Sequence, residues 1–146
     1  MSDFRKLSET FWASPQVEAD DVAEAGQRGF AMIVNNRPDG EADGQPSGAA
    51  IEAAARGAGL EYRAIPVDHN GFTGDQVEQM RAALEEAEGP VLAYCRSGTR
   101  STLLWSLARA AAGDDPDTIA RAAGEAGYDV APVRPALEHL SGQAKG

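Results

Sequence analysis

The sequence predicts an α/β protein built on an open, mostly parallel sheet with helices on both faces. Strand-like and helix-like segments alternate along the chain, the pattern that produces parallel strands joined by helical crossovers. Phe30-Ala31-Met32-Ile33-Val34 is an unbroken apolar run between Gly29 and Asn35, as expected of an interior strand covered on both sides. A second run, Val91-Leu92-Ala93-Tyr94, leads straight into the sole cysteine, Cys95, and on to the helix-like stretch Thr102-Leu103-Leu104-Trp105-Ser106-Leu107. The only thiol therefore lies where a strand hands over to a helix.

Taken in order, Thr10-Phe11-Trp12-Ala13 reads as a short edge strand closed by the turn Ser14-Pro15. Residues 18–27 predict a helix with Val22 and Ala25 on its apolar face and a stop at Gly29. Residues 36–46 form a polar loop leaving the strand at 30–34 by its C-terminal end, the edge where open α/β sheets collect ligands. Ser47 caps a helix bearing Ile51, Ala54 and Ala55 that ends near Gly57 and Gly59. Tyr62-Arg63-Ala64-Ile65-Pro66-Val67 reads as a strand whose proline favours an edge or an end. Thr73 and Gln76 make a capping box for a helix carrying Val77, Met80 and Leu84 and closed by Gly89. The helix that begins near Ser101 runs to Gly113, and Asp115-Pro116 caps and opens a short helix with Ile119 and Ala122. A last helix carries Val133, Leu137 and Leu140 before a loose tail from Gln143. Trp12 and Trp105 are expected in the core.

At 146 residues the chain is expected to form one domain, residues 1–146, with a single sizeable core. A formal charge of −10 and a pI near 4.5 argue against nucleic acid or an anionic membrane as partner, since the overall field repels polyanions. A small anionic substrate would need a local basic spot. One cysteine allows no internal disulfide, and the start Met1-Ser2-Asp3-Phe4-Arg5-Lys6 lacks the apolar stretch of a secretory signal, so a reducing cytoplasm is the expected setting. The longest apolar runs fall far short of the ~18 residues that span a bilayer.

A thiolate at a strand-to-helix junction faces the free N–H groups and positive dipole end of the helix, which lowers its pKa. Gly98 lets the loop turn its N–H groups inward as an anion cradle. Arg96 and Arg100 add guanidinium groups that stay charged and grip an oxyanion through paired hydrogen bonds. Cys95 and Arg100 are accordingly the candidate catalytic residues, with Arg96, Ser97, Gly98, Thr99 and Ser101 as the anion-binding loop. The Ser101 hydroxyl either donates to the sulfur or caps the helix. Arg37 is a candidate accessory cation at the sheet edge. His69 and His139 are too few and too far apart for a metal site, so neither metal nor cofactor is expected.

Four residues separate Cys95 from Arg100. Protein tyrosine phosphatases place five there, whereas rhodanese-type sulfurtransferases close a tighter loop, and Cys95-Arg96-Ser97-Gly98-Thr99-Arg100 resembles the second. The surrounding chain resembles something else. Phe11-Trp12-Ala13-Ser14-Pro15-Gln16, Val34-Asn35-Asn36-Arg37-Pro38-Asp39-Gly40-Glu41, Ile65-Pro66-Val67 and Gly89-Pro90-Val91-Leu92 are similar, in order and spacing, to the phosphatase-like domain of beta-lactamase-hydrolase-like proteins. The resemblance covers nearly the whole chain. It implies a dual-specificity-phosphatase-like, protein-tyrosine-phosphatase-like fold carrying a rhodanese-sized loop, in a bacterial family associated with both phosphatase-like and sulfur-transfer chemistry. Tyr94 departs from the pattern, in which a histidine precedes the cysteine.

The leading expectation is a sulfurtransferase. Cys95 attacks the outer sulfur of a small anionic donor of the thiosulfate or glutathione persulfide class, Arg96 and Arg100 stabilise the departing anion, and the resulting persulfide passes to a thiol acceptor. The alternative is a cysteine-dependent phosphatase working through a phosphocysteine, which calls for an acid to protonate the leaving alcohol; Asp68 is the candidate, with Asp75 second. A third reading is an anion-binding module without turnover.

Overall fold

The computed structural model describes residues 2–145. Strands β1 (Arg5–Ser8), β2 (Phe11–Ser14), β3 (Met32–Asn35), β4 (Glu61–Ala64) and β5 (Val91–Tyr94) form one sheet in the order β1-β2-β5-β3-β4. β1 pairs antiparallel with β2, and every other pairing is parallel. Helices α1 (Ala19–Gln27), α2 (Gly48–Gly57), α3 (Gly74–Glu86), α4 (Thr99–Ala111), α5 (Pro116–Glu125) and α6 (Arg134–Lys145) make up the rest, with a 3₁₀ turn at Ala131–Val133 before α6.

Side chains along each strand alternate between two cores, as the pleat requires. Phe11, Ala13, Met32, Val34, Val91 and Ala93 face the layer containing α3 to α6. Ile33, Tyr62, Leu92 and Tyr94 face α1 and α2. β3 and β5 are buried at every position, which explains why their sequences are continuously apolar rather than alternating. α4 is buried on nearly all sides from Ser101 to Ala108. Its polar residues are accommodated because Thr102 Oγ1 donates to the Gly98 carbonyl (2.9 Å) and Ser106 Oγ to the Thr102 carbonyl (2.8 Å), local bonds that a buried helical hydroxyl can make without a distant partner. Trp105 stacks on Phe11 with ring centroids 5.6 Å apart, whereas Trp12 is only half-buried and meets Phe30 edge-on.

The capping signals act as their chemistry demands. Ser47 accepts from the Ala50 N–H, Thr73 and Gln76 close a reciprocal box, and Asp115 accepts from the Thr118 N–H with Pro116 at the first helical position. Four expectations need correction. β2 is not an edge strand, because β1, polar and only four residues long, pairs outside it. α4 starts at Thr99, not near Ser101, since Gly98 already turns the chain with φ 91°. Val133 lies in the 3₁₀ turn, and residues 143–145 continue α6 in place of a loose tail.

The parallel strands end together, so the segments after β2, β3, β4 and β5 emerge along one edge of the sheet. Among the described residues no helix is long and apolar enough to cross a membrane.

Candidate active site

The cysteine loop is fixed from both sides by backbone bonds. The Cys95 N–H donates to the Ser14 carbonyl (3.4 Å), the Gln16 N–H to the Arg96 carbonyl (3.3 Å) and the Asn36 N–H to the Tyr94 carbonyl (2.8 Å). These tie β5 and its exit to the neighbouring strand ends, where parallel sheets build sites. The loop then turns back on its own sulfur, and the Gly98 N–H donates to Cys95 Sγ at 3.1 Å. The chain then enters α4 through a left-handed backbone at Gly98, and a Cβ there would collide with the Tyr128 hydroxyl. Tyr128 occupies the space because its hydroxyl donates to the Ser97 carbonyl (3.1 Å), bracing the outside of the loop.

Arg100, in the first turn of α4, reaches back over the thiol, where Cys95 and Glu41 both favour its charged form, Glu41 the more strongly. Its Nη1 donates to Glu41 Oε2 and to the Val67 carbonyl, both at 2.7 Å, and its Nη2 to Glu41 Oε1 at 2.8 Å. A guanidinium has five N–H donors in a fixed plane. Glu41 and Val67 take three, which leaves Nε–H and one Nη2–H on a shared edge, the fork suited to one oxyanion. Glu41 thus aims Arg100 without exhausting it. The Glu41 carboxyl is pulled down to about 2 by the hydrogen bond from Arg100 first, and by that from Arg37.

Arg37 is 6% exposed and does not widen a surface patch. It donates through Nε to Glu41 Oε1 (2.9 Å) and through Nη1 to Gln16 Oε1 (3.0 Å). Gln16 in turn lies against the phenol of Tyr94, whose ionisation is strongly opposed by burial. A chain of contacts therefore runs from the residue before the cysteine, through Gln16, Arg37 and Glu41, to the arginine that closes the loop.

The remaining predicted residues divide clearly. Ser97 and Thr99 are exposed and their hydroxyls bond each other at 2.9 Å. Ser101 is fully buried, and its Oγ has no partner among the described residues. It does not cap α4, whose cap is Gly98. Asp68 follows the carbonyl that holds Arg100, yet its exposed carboxylate accepts from the Asn70 N–H (2.8 Å). Asp75 lies in the first turn of α3. Cys95 itself is 0% exposed. A cleft of roughly 510 Å³ is lined by Glu41, His69 and the two loop arginines, Arg96 and Arg100.

Glu41, Gln16 and His69 are the site residues that sequence reasoning missed. For Glu41 a signal existed: a carboxylate four residues after Arg37, on a loop leaving the ligand-bearing edge of the sheet. For His69 and Gln16 there was none, since only the topology brings them to the loop.

Comparison with known proteins bears on the same architecture. A family described as the beta-lactamase hydrolase-like protein, phosphatase-like domain, matches residues 3–112, from β1 to the end of α4. A beta-lactamase hydrolase-like protein of Xylella fastidiosa is 39% identical over 101 residues, which cover 69% of this chain and 23% of that protein; the chain thus spans under a quarter of the length of that curated relative. The crystal structure of a putative phosphatase from Neisseria meningitidis is 38% identical with a TM-score of 0.83, covering 94% of this chain and 98% of that one. The structure of Tk-PTP in its active form, at 17% identity, TM-score 0.76 and 97% coverage of both chains, shares the fold. With the cysteine loop, the parallel sheet edge and the sequence match in agreement, this chain belongs to the phosphatase-like domain family of beta-lactamase hydrolase-like proteins.

Proposed function

We propose that the protein is a cysteine-dependent phosphatase-type enzyme acting on small phosphate monoesters through a phosphocysteine at Cys95. The observation that carries the reading is the Gly98 N–H bonded to the Cys95 sulfur, with Arg100 in the first turn of the following helix held by Glu41 and Val67 so that one guanidinium edge stays free. The likeness to a putative phosphatase over nearly the full chain supports it. In the first half-reaction the thiolate attacks phosphorus, the bond from phosphorus to the leaving oxygen breaks, and that oxygen takes a proton, for which Asp68, directly after the Val67 anchor in the chain, is the candidate donor. Arg100 and the loop N–H groups hold the equatorial oxygens as charge builds. Water then attacks phosphorus, the sulfur leaves as thiolate, and the water proton returns to the carboxylate.

One observation favours a second reading. Four residues between Cys95 and Arg100 make a compact ring, which suits sulfur transfer. The thiolate attacks the outer sulfur of thiosulfate, sulfite departs with the electron pair of the broken S–S bond, and the persulfide is handed to an acceptor thiol. A single comparison separates the two. Purified protein is given an aryl phosphate or thiosulfate, with Cys95→Ser as control, and the adduct on Cys95 is weighed by mass spectrometry. Phosphate release that depends on Cys95 supports the first reading. One added sulfur with thiocyanate formation from cyanide, and no phosphate release, replaces it with the second.

A further inference from the structure

Almost every arginine of this acidic chain is neutralised. Apart from Arg96 and Arg121, each lies within ion-pair distance of a carboxylate among the described residues. Arg121 lies on α5, outside the cleft. Arg96 is different in kind: it directly follows the nucleophile, is exposed, and lines the cleft together with His69. Its backbone is held in place by the bond from the Gln16 N–H, so a flexible side chain projects from a fixed point. In a molecule carrying −10 overall, an exposed, unpaired guanidinium next to the cysteine is a local positive spot where the overall field is negative. Arg100, by contrast, is already held by Glu41 and Val67 and offers one free edge. The cleft therefore presents two separate cationic grips, Arg100 from the first turn of α4 and Arg96 from the residue after the cysteine, with the imidazole of His69 as a further hydrogen-bonding group. Its lining contains no phenyl, phenol or indole ring, the broad apolar walls that would stack a phenyl leaving group.

We propose that Arg96 is the specificity-determining residue for substrates that carry a second anionic group on the leaving-group side of the reacting one, and that the natural substrate is a small, multiply charged anion without an aromatic leaving group. Arg96 binds that second group while Arg100 and the loop N–H groups hold the first. The proposal rests on the reading of Cys95 and Arg100 as the anion-reacting pair, but holds for phosphoryl and sulfur transfer alike.

The sign of the test is favourable to a clear answer. Without a local cation, the overall negative field makes a more highly charged anion bind more weakly. Cys95→Ser protein, which binds without turning over, is titrated calorimetrically with inorganic phosphate and with pyrophosphate. Pyrophosphate is expected to bind at least about tenfold more tightly, a difference of about 1.4 kcal/mol. Adding Arg96→Gln is expected to reduce that ratio below about threefold, whereas Arg121→Gln, which alters net charge equally, leaves it intact. A ratio unmoved by Arg96→Gln, a fall of the same size in Arg121→Gln, a preference for phosphate, or no binding of either anion overturns the proposal. Failure of the phosphatase reading is seen separately, as absence of phosphate release from both pyrophosphate and an aryl phosphate in the parent protein.

Discussion

Glu41 sits between two guanidinium groups, and its low-lying carboxyl gives the site a defined response to acid. Its pKa in the folded protein, about 2, lies below the ordinary 4.5. The stabilisation is therefore complete above the unfolded value and is lost as pH falls from about 4.5 toward about 2. Glu41→Gln is expected to cost about 1 to 2 kcal/mol at neutral pH, allowing for solvent screening at the cleft mouth. The parent and the variant should converge in urea denaturation near pH 2. The same variant releases Arg100 from its aimed position, so turnover of an aryl phosphate should fall about tenfold while iodoacetamide reaches Cys95 faster than in the parent. If the chain from Gln16 through Arg37 acts by way of Glu41, Gln16→Leu should reduce turnover in the parent and add nothing in the Glu41→Gln background, whereas independent effects would add. The cysteine loop, with its glycine and both arginines, was legible in the sequence because its spacing is local. For Glu41 only its pairing with Arg37 was local enough to read; its bond to Arg100 spans 59 positions and exists only once β3 and β5 are neighbours.

At the level of elements, the turn from β5 into α4 is the least tolerant feature. Gly98→Ala is strained by the positive φ and meets the Tyr128 hydroxyl. It is expected to lower stability by about 3 kcal/mol and to remove turnover. Combining it with Tyr128→Phe should recover part of the stability, because the obstruction goes and only the backbone strain of about 1 to 2 kcal/mol is left. Thermal unfolding of the single and double variants checks this. Helices were readable wherever a cap is written in adjacent residues, as at Thr73 with Gln76 and Asp115 with Pro116. β1 was not, since Arg5, Lys6 and Ser8 are polar and only Leu7 is buried. Its charged residues are the mark of an outer strand protected from further pairing, a composition that sequence patterning assigns to loops.

For the molecule as a whole, two apolar layers share one sheet, and α4 lies at the centre of the larger one. Leu104 is 0% exposed there. Leu104→Ala is expected to cost about 2 to 5 kcal/mol, and because both layers are built on the same five strands, the loss should appear as a shifted single transition in circular dichroism and tryptophan fluorescence alike. Alternation of segments was enough to read this layered plan from the sequence, since each strand's burial follows from the helices that flank it.

Tyr128 lies beyond residue 112, where the family match stops, yet its hydroxyl braces the loop through Ser97. The segment that follows α4 is thus part of the support of the cysteine loop and no mere appendage. A recombinant boundary drawn at the limit of sequence similarity would cut away the outer buttress of the nucleophile and strip Ile119, Val130 and Leu137 from the core. For engineers who would graft or shorten this unit, the working piece is longer than the recognisable one.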